Sequence, residues 1–239
     1  LVIQNLKKLI SEKNLSTTVG DEGGFAPSLK NNEQALELIL KSIELSGFKP
    51  KEDVTICLDV ASNELHKDGK YSVKSSKFEK SKEVIDYYIN LIKKYSISSI
   101  EDPFSEDDWV SWSELMKYLK DNNHKTQIVG DDLFVTNIER LKKGIKQEAA
   151  NAILIKPNQI GTLTETLEVI NFAQKKGFKT IISHRSGDSE DTFIADLAVA
   201  TKSSQIKSGS LIRSERVAKY NRLIRIEEEL GNSPKMARI

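Results

Sequence analysis

Six places along the chain set a charged or hydrogen-bonding side chain at the end of a short run rich in β-branched residues. In order they are Asp59, Glu101 with Asp102, Asp131 with Asp132, Lys156, His184-Arg185-Ser186 and Lys207. One Asp in such a place is ordinary turn or helix-cap chemistry. Six in succession form a pattern. Asp59, Glu101 and Asp131 would repel one another unless a hard dication lay among them, and an all-oxygen set suits Mg2+, with Mn2+ as a substitute. One cysteine and three histidines are too few and too scattered for a zinc centre. Lys156 and Lys207 offer an amine that can act as a neutral base. His184-Arg185-Ser186 brings together a cation, a bidentate fork and a hydroxyl, a set suited to phosphate or carboxylate. The substrate this predicts is a small anion.

The elements that must position these groups alternate. The runs at 54–58, 97–100, Gln127–Gly130, Ala152–Ile155, Lys179–Ser183 and Gln205–Lys207 read as buried strands. Between them lie stretches of helical spacing, such as Val84, Ile85, Tyr88, Leu91 and Ile92, then Leu163, Leu167, Ile170 and Phe172. Helices over 1–13 and 33–46 precede the first strand, and one over Ser214–Leu230 follows the last. Two helices followed by six strand-helix units predict a parallel sheet, because parallel neighbours need a crossover connection. In a parallel α/β barrel the strand C-termini share one rim, which is where such residues would meet. Residues 65–82, rich in Lys, Ser and Asp, read as an exposed loop, and Cys57 reads as a buried, inert thiol. Trp109 and Trp112 read as helix packing, His66 and His124 as solvated surface residues. The 36 basic and 35 acidic residues leave a formal charge of +1, which argues against a nucleic-acid field and so against DNA as a partner. No apolar run reaches the roughly 18–20 residues of a membrane span. The absence of disulfide chemistry fits the cytosol. Helical spacing begins at Leu1 itself, so the chain reads as a fragment that starts inside a helix.

Five segments carry a more specific signal. Val19-Gly20-Asp21-Glu22-Gly23-Gly24-Phe25-Ala26-Pro27, Ser99-Ile100-Glu101-Asp102-Pro103-Phe104 and Leu154-Ile155-Lys156-Pro157-Asn158-Gln159-Ile160-Gly161-Thr162 closely resemble the enolase family. So do the segment from Ser183 through His184, Arg185 and Ser186 to Leu197, and Arg225-Ile226-Glu227-Glu228-Glu229-Leu230-Gly231. The resemblance covers essentially the whole chain. It implies residues 1–239 as a C-terminal catalytic barrel domain of the α/β TIM type, here αα(βα)6, with the two opening strands and the family's N-terminal α+β domain missing.

The resemblance also implies roles. Asp59, Glu101 and Asp131 are similar to the family's magnesium ligands, with Asp102 and Asp132 behind them. Lys156 resembles the base that takes the C2 proton of 2-phosphoglycerate, and Glu22 the acid that helps the C3 hydroxyl leave as water, giving phosphoenolpyruvate. Lys207 resembles the carboxylate contact, Arg185 and Ser186 the phosphate contacts, and His184 a lining residue. A cytoplasmic lyase, dimeric or larger in its full-length form through contacts resembling Arg225 and Glu228, is what the family leads one to expect. A chain without the opening strands and the serine-bearing loop is expected to bind magnesium poorly and turn over little substrate. Two alternatives stand beside this reading: a sister enzyme of the wider superfamily, and a binding role at the cell surface or in an RNA-processing assembly.

Overall fold

A computed structural model describes residues 1–73, 77, 79–231 and 236–237. The described strands form a six-stranded sheet and a separate two-stranded ribbon. The sheet comprises β1 (Cys57–Asp59), β4 (Ser99–Glu101), β5 (Gln127–Gly130), β6 (Ala152–Ile155), β7 (Lys179–Ser183) and β8 (Gln205–Lys207), in that order. The described pairings β1-β4, β4-β5, β6-β7 and β7-β8 are all parallel. The chain divides into two compact units, one holding residues 1–17, 27–133 and 142–151, the other 18–26, 134–141 and 152–239.

In the first unit, α1 (Val2–Glu12) and α2 (Asn32–Leu45) pack on each other before the sheet begins. α2 starts where the Asn31 side chain accepts the Gln34 N–H at 2.9 Å, supplying a partner to an amide the helix itself leaves unmet. In α3 (Ser81–Tyr95), Val84, Ile85, Tyr88, Leu91, Ile92 and Tyr95 recur at three- and four-residue spacing and are all buried. Asp108 caps α4 (Trp109–Asp121) through the Ser111 N–H at 3.2 Å. Trp112, fully buried, donates its indole N–H to the Ser105 carbonyl at 3.0 Å, so its large apolar surface is covered and its one donor satisfied. Its truncation to Ala would cost about 3–5 kcal/mol.

In the second unit, Gly161 at φ +101° ends α6 (Pro157–Ile160), a backbone conformation that favours glycine. Thr162 then caps α7 (Leu163–Lys175), accepting the Glu165 N–H at 3.2 Å. α8 (Phe193–Ala200) and α9 (Ser214–Leu230) pack together after β7 and β8. α5 (Ile138–Lys146) lies between β5 and β6 in the sequence, its residues 138–141 falling in this unit and 142–146 in the first.

Several expectations need correction. The first two strands sit further along than 54–58 and 97–100, with Asp59 and Glu101 as their last residues. Residues 65–82 are not a plain exposed loop: after a 3-10 turn (Ser62–Leu65) come β2 (His66–Lys67) and β3 (Lys70–Tyr71), an antiparallel ribbon that buries Tyr71 completely. The Tyr71 hydroxyl donates to Asp108 at 2.8 Å, which a reading of local polarity could not see. Residues 74–76 and 78 of that segment lie outside the described residues. Cys57 is exposed, because β1 ends the strand order and pairs among the described residues only with β4. In α7 the buried positions are Thr166, Val169, Ile170 and Ala173, whereas Leu163 is exposed, so the apolar stripe is turned from the one expected. β8 is half-buried. His66 and His124 are likewise half-buried, each against a tyrosine ring, Tyr71 and Tyr118.

Candidate active site

The carboxylates of the first unit are set out by strand register. Asp59 pairs with Glu101 across β1 and β4, and Glu101 with Val129 across β4 and β5. Side chains of paired residues in parallel strands share a face, and two residues beyond Val129 the alternation returns Asp131 to it. Glu101 and Asp131 are buried, Asp59 is exposed.

Asp102 organises the next layer. Its φ of +43° breaks the strand, and its two carboxylate oxygens accept the N–H groups of Asp131 and Asp132, each at 2.9 Å. Burial pushes the Asp102 carboxyl up to about 8, outweighing the two amides that favour its charged form. The Asp132 carboxylate accepts from the Asn63 amide at 2.9 Å, and Asn63 is held in turn by the Glu106 N–H at 3.0 Å. Among the described residues, the acidic group whose oxygens come within 4.8 Å of one another is Asp102, Asp131 and Asp132. Asp131 thus belongs both to this group and to the expected ligand set, while Asp59 and Glu101 stand outside the group.

The second unit brings the other predicted residues together. Lys156 follows β6 directly, and its N–H donates to the Thr136 hydroxyl at 2.9 Å, which in turn donates to Gln159 at 2.9 Å. Lys207 ends β8 opposite Ser183, and its carbonyl accepts the His184 N–H at 3.0 Å. Arg185 donates to the Asn158 side chain at 3.1 Å, which aims the guanidinium across to the segment that follows Lys156. Arg185 and Ser186 are exposed, His184 only 2% so.

The loop 18–26 holds Glu22. Its neck is closed by a bridge between Val19 and Phe25 and by the Gly20 N–H donating to the Gly24 carbonyl at 2.9 Å. The Ser210 N–H pins the Glu22 carbonyl at 2.8 Å. The Glu22 carboxylate lies 3.3 Å from His184 Nε2, off the line of a well-formed hydrogen bond. The His184 ring, with the positive charges of Lys207 and Arg216, holds the Glu22 carboxyl down at about 2 despite partial burial.

Three residues of this framework escape sequence reasoning: Asp102 as the buried acceptor of two amides, Thr136, and above all Arg216. A charged residue on an amphipathic helix is read as facing water, so nothing local marks Arg216 as fully buried.

A family model described as "Enolase, C-terminal TIM barrel domain" matches residues 1–238. The curated protein "Enolase" from Pelagibacter ubique (strain HTCC1062) is 65% identical over 239 residues, an alignment covering 100% of this chain and 56% of that protein. The chain therefore spans about half the length of the curated relative it matches.

Proposed function

From this chain's membership of the enolase C-terminal TIM barrel domain family, we propose that it supplies the base, the acid, the metal ligands and the anion contacts for Mg2+-dependent dehydration of 2-phosphoglycerate to phosphoenolpyruvate. The observation that carries the reading is the placement of every predicted group but Glu22 at a strand end, with Glu22 on a loop pinned to the segment after β8.

Lys156 removes the C2 proton, and Glu22 returns a proton to the C3 hydroxyl as it departs. Arg185 and Ser186 hold the phosphate, and Lys207 contacts the carboxylate. Asp59, Glu101 and Asp131 would hold the dication; their hard oxygen donors, two of them buried, fit Mg2+ or Mn2+. When bound, the ion would supply positive charge to offset the negative charge that develops on the substrate as the C2 proton leaves. The acid step needs one more element. At about 2 the Glu22 carboxyl is ionised at neutral pH. An anion brought near it, such as the substrate phosphate, would raise its proton affinity, the direction that the acid role requires. The proposed setting is cytoplasmic, and a homo-oligomer is the proposed assembly of the full-length protein.

Two steps make two measurements. In deuterated water, exchange of the C2 proton reports the base, and appearance of phosphoenolpyruvate reports the whole reaction. In a preparation that forms phosphoenolpyruvate, Lys156→Ala is expected to lower both by about 100- to 10,000-fold. Glu22→Gln is expected to keep exchange and lose product. Equal loss of exchange in the two variants would overturn the division of roles, and turnover of unphosphorylated glycerate at a similar rate would favour a sister enzyme instead.

A further inference from the structure

The second unit buries a cation that the reaction does not call for. The Arg216 side chain is fully buried, and the two terminal nitrogens of its guanidinium make four hydrogen bonds. One donates to the Arg185 carbonyl at 2.8 Å and meets His184 Nδ1 at 2.7 Å. The other donates to the carbonyls of Ser186 at 2.6 Å and Asp21 at 3.1 Å. Three of these partners belong to the His184-Arg185-Ser186 segment, and the fourth precedes Glu22.

A guanidinium has donors and no acceptor, and it keeps its charge at any pH a protein meets. His184 Nδ1 must therefore accept. A ring that accepts at Nδ1 is neutral and carries its proton on Nε2, the nitrogen that faces Glu22 at 3.3 Å. We propose that Arg216 is a positioning residue that locks His184 in the Nε2–H tautomer and fixes the Glu22 loop to the anion-binding segment.

The site of the cation supports a functional reason for it. Arg216 is the third residue of α9, where the helix's own amides already present positive partial charge, so stability alone would favour a carboxylate there. Lys219, three residues on and also fully buried, extends the same face: it donates to the Ser189 carbonyl and lies 3.4 Å from Asp188, holding the continuation of the segment that Arg216 holds. The packing around Arg216 leaves no slack. At Gly209, whose φ is +78°, an added Cβ would lie 2.8 Å from both Arg216 Cδ and the Glu22 carbonyl oxygen.

The catalytic consequence rests on His184 and Glu22 being active-site groups, but the tautomer does not. It is read directly by long-range 1H–15N spectra of the chain labelled at its three histidines, with His66→Gln and His124→Gln to assign His184. The expected spectrum has the proton on Nε2 and a bare Nδ1 at neutral pH. A proton on Nδ1 in the parent chain overturns the proposal without any Arg216 variant. Arg216→Lys, whose ammonium cannot span four acceptors, is expected to turn the single tautomer into a mixture; Arg216→Met tests the same point where it folds. A folded variant that keeps the pure Nε2–H form also overturns the proposal. In a preparation that forms phosphoenolpyruvate, Arg216→Lys should lower kcat about 10- to 100-fold, the range typical of residues that orient an active-site group through a hydrogen bond. An unchanged kcat with an altered tautomer would remove the catalytic consequence. No turnover by the full-length protein would count against the functional reading and leave the spectral result standing.

Discussion

The two units each bury an ionisable side chain behind their functional residues, and they satisfy it in opposite ways. Asp102 lies behind the carboxylates and is held by backbone N–H groups, those of Asp131 and Asp132. Arg216 lies behind the cationic and anion-binding residues and is held by backbone carbonyls, those of Asp21, Arg185 and Ser186. In both, backbone dipoles supply most of the hydrogen bonds, and Arg216 has in addition the Glu215 carboxylate 3.8 Å from its Nε. The difference is in what each charge can do. Asp102, pushed up to about 8 by burial, can take a proton and shed its charge. Arg216 cannot, so its partners are committed to accept.

That contrast can be broken by substitution. The largest effect is expected from Arg216→Met, which takes the donor from the Asp21 and Ser186 carbonyls and the His184 ring nitrogen and leaves the Arg185 carbonyl with only the Asp188 N–H, at about 4 kcal/mol in urea unfolding. Gly209→Ala keeps Arg216 but forces a side chain into a backbone region that disfavours it and against two close atoms. About 3 kcal/mol is expected. Should Gly209→Ala unfold at the same urea concentration as the parent, the close approach is not a constraint. Asp102→Asn presents an amide to one of two N–H groups and is expected to cost about 2 kcal/mol. A cost as large as that of Arg216→Met would erase the distinction between a charge that can adapt and one that cannot.

The smallest effect concerns Glu22, and its sign follows from the direction of the shift. The folded carboxyl sits at about 2 against an ordinary value of 4.5, so its stabilisation is present above about 4.5 and lost as pH falls toward about 2. The side chain is 45% exposed, and screening reduces the contribution to about 1 kcal/mol. The stability gap between the parent and Glu22→Gln should therefore shrink between pH 6 and pH 3. A gap that is constant or widens would show that His184 does not hold the carboxylate in solution.

Much of the framework is legible in the chain itself. β5, β6, β7 and β8 occupy the runs that β-branched content marks; in β6, buried at every position, the reason is that a strand buried on both faces is a continuous apolar run, whereas β8 is half-buried. β1 and β4 are displaced since their final residues are acidic, and only pairing partners draw Asp59 and Glu101 into strand geometry. The helical stripe of α3 reads correctly, while that of α7 does not. Thr166 is fully buried there because its hydroxyl donates to the Thr162 carbonyl at 2.7 Å, removing the cost that polarity would predict. Tyr71 is hidden in the same way, its hydroxyl satisfied by an aspartate 37 residues away.

For the strand ends, the sequence alone determined which residue types close each strand, since the period of the apolar runs and the break that follows them are local properties. It also determined the family, through long ordered motifs. What tertiary structure decided is how those groups are held and in what state. Whether Asp102 takes a proton near neutrality, whether Glu22 stays ionised, and which nitrogen of His184 faces it all depend on burial and on donors brought from distant positions, 30 residues away for Asp132 and 32 for Arg216. A residue's type fixes the chemistry it can offer. Its protonation state and direction are set by its surroundings, which exist only once the chain has folded.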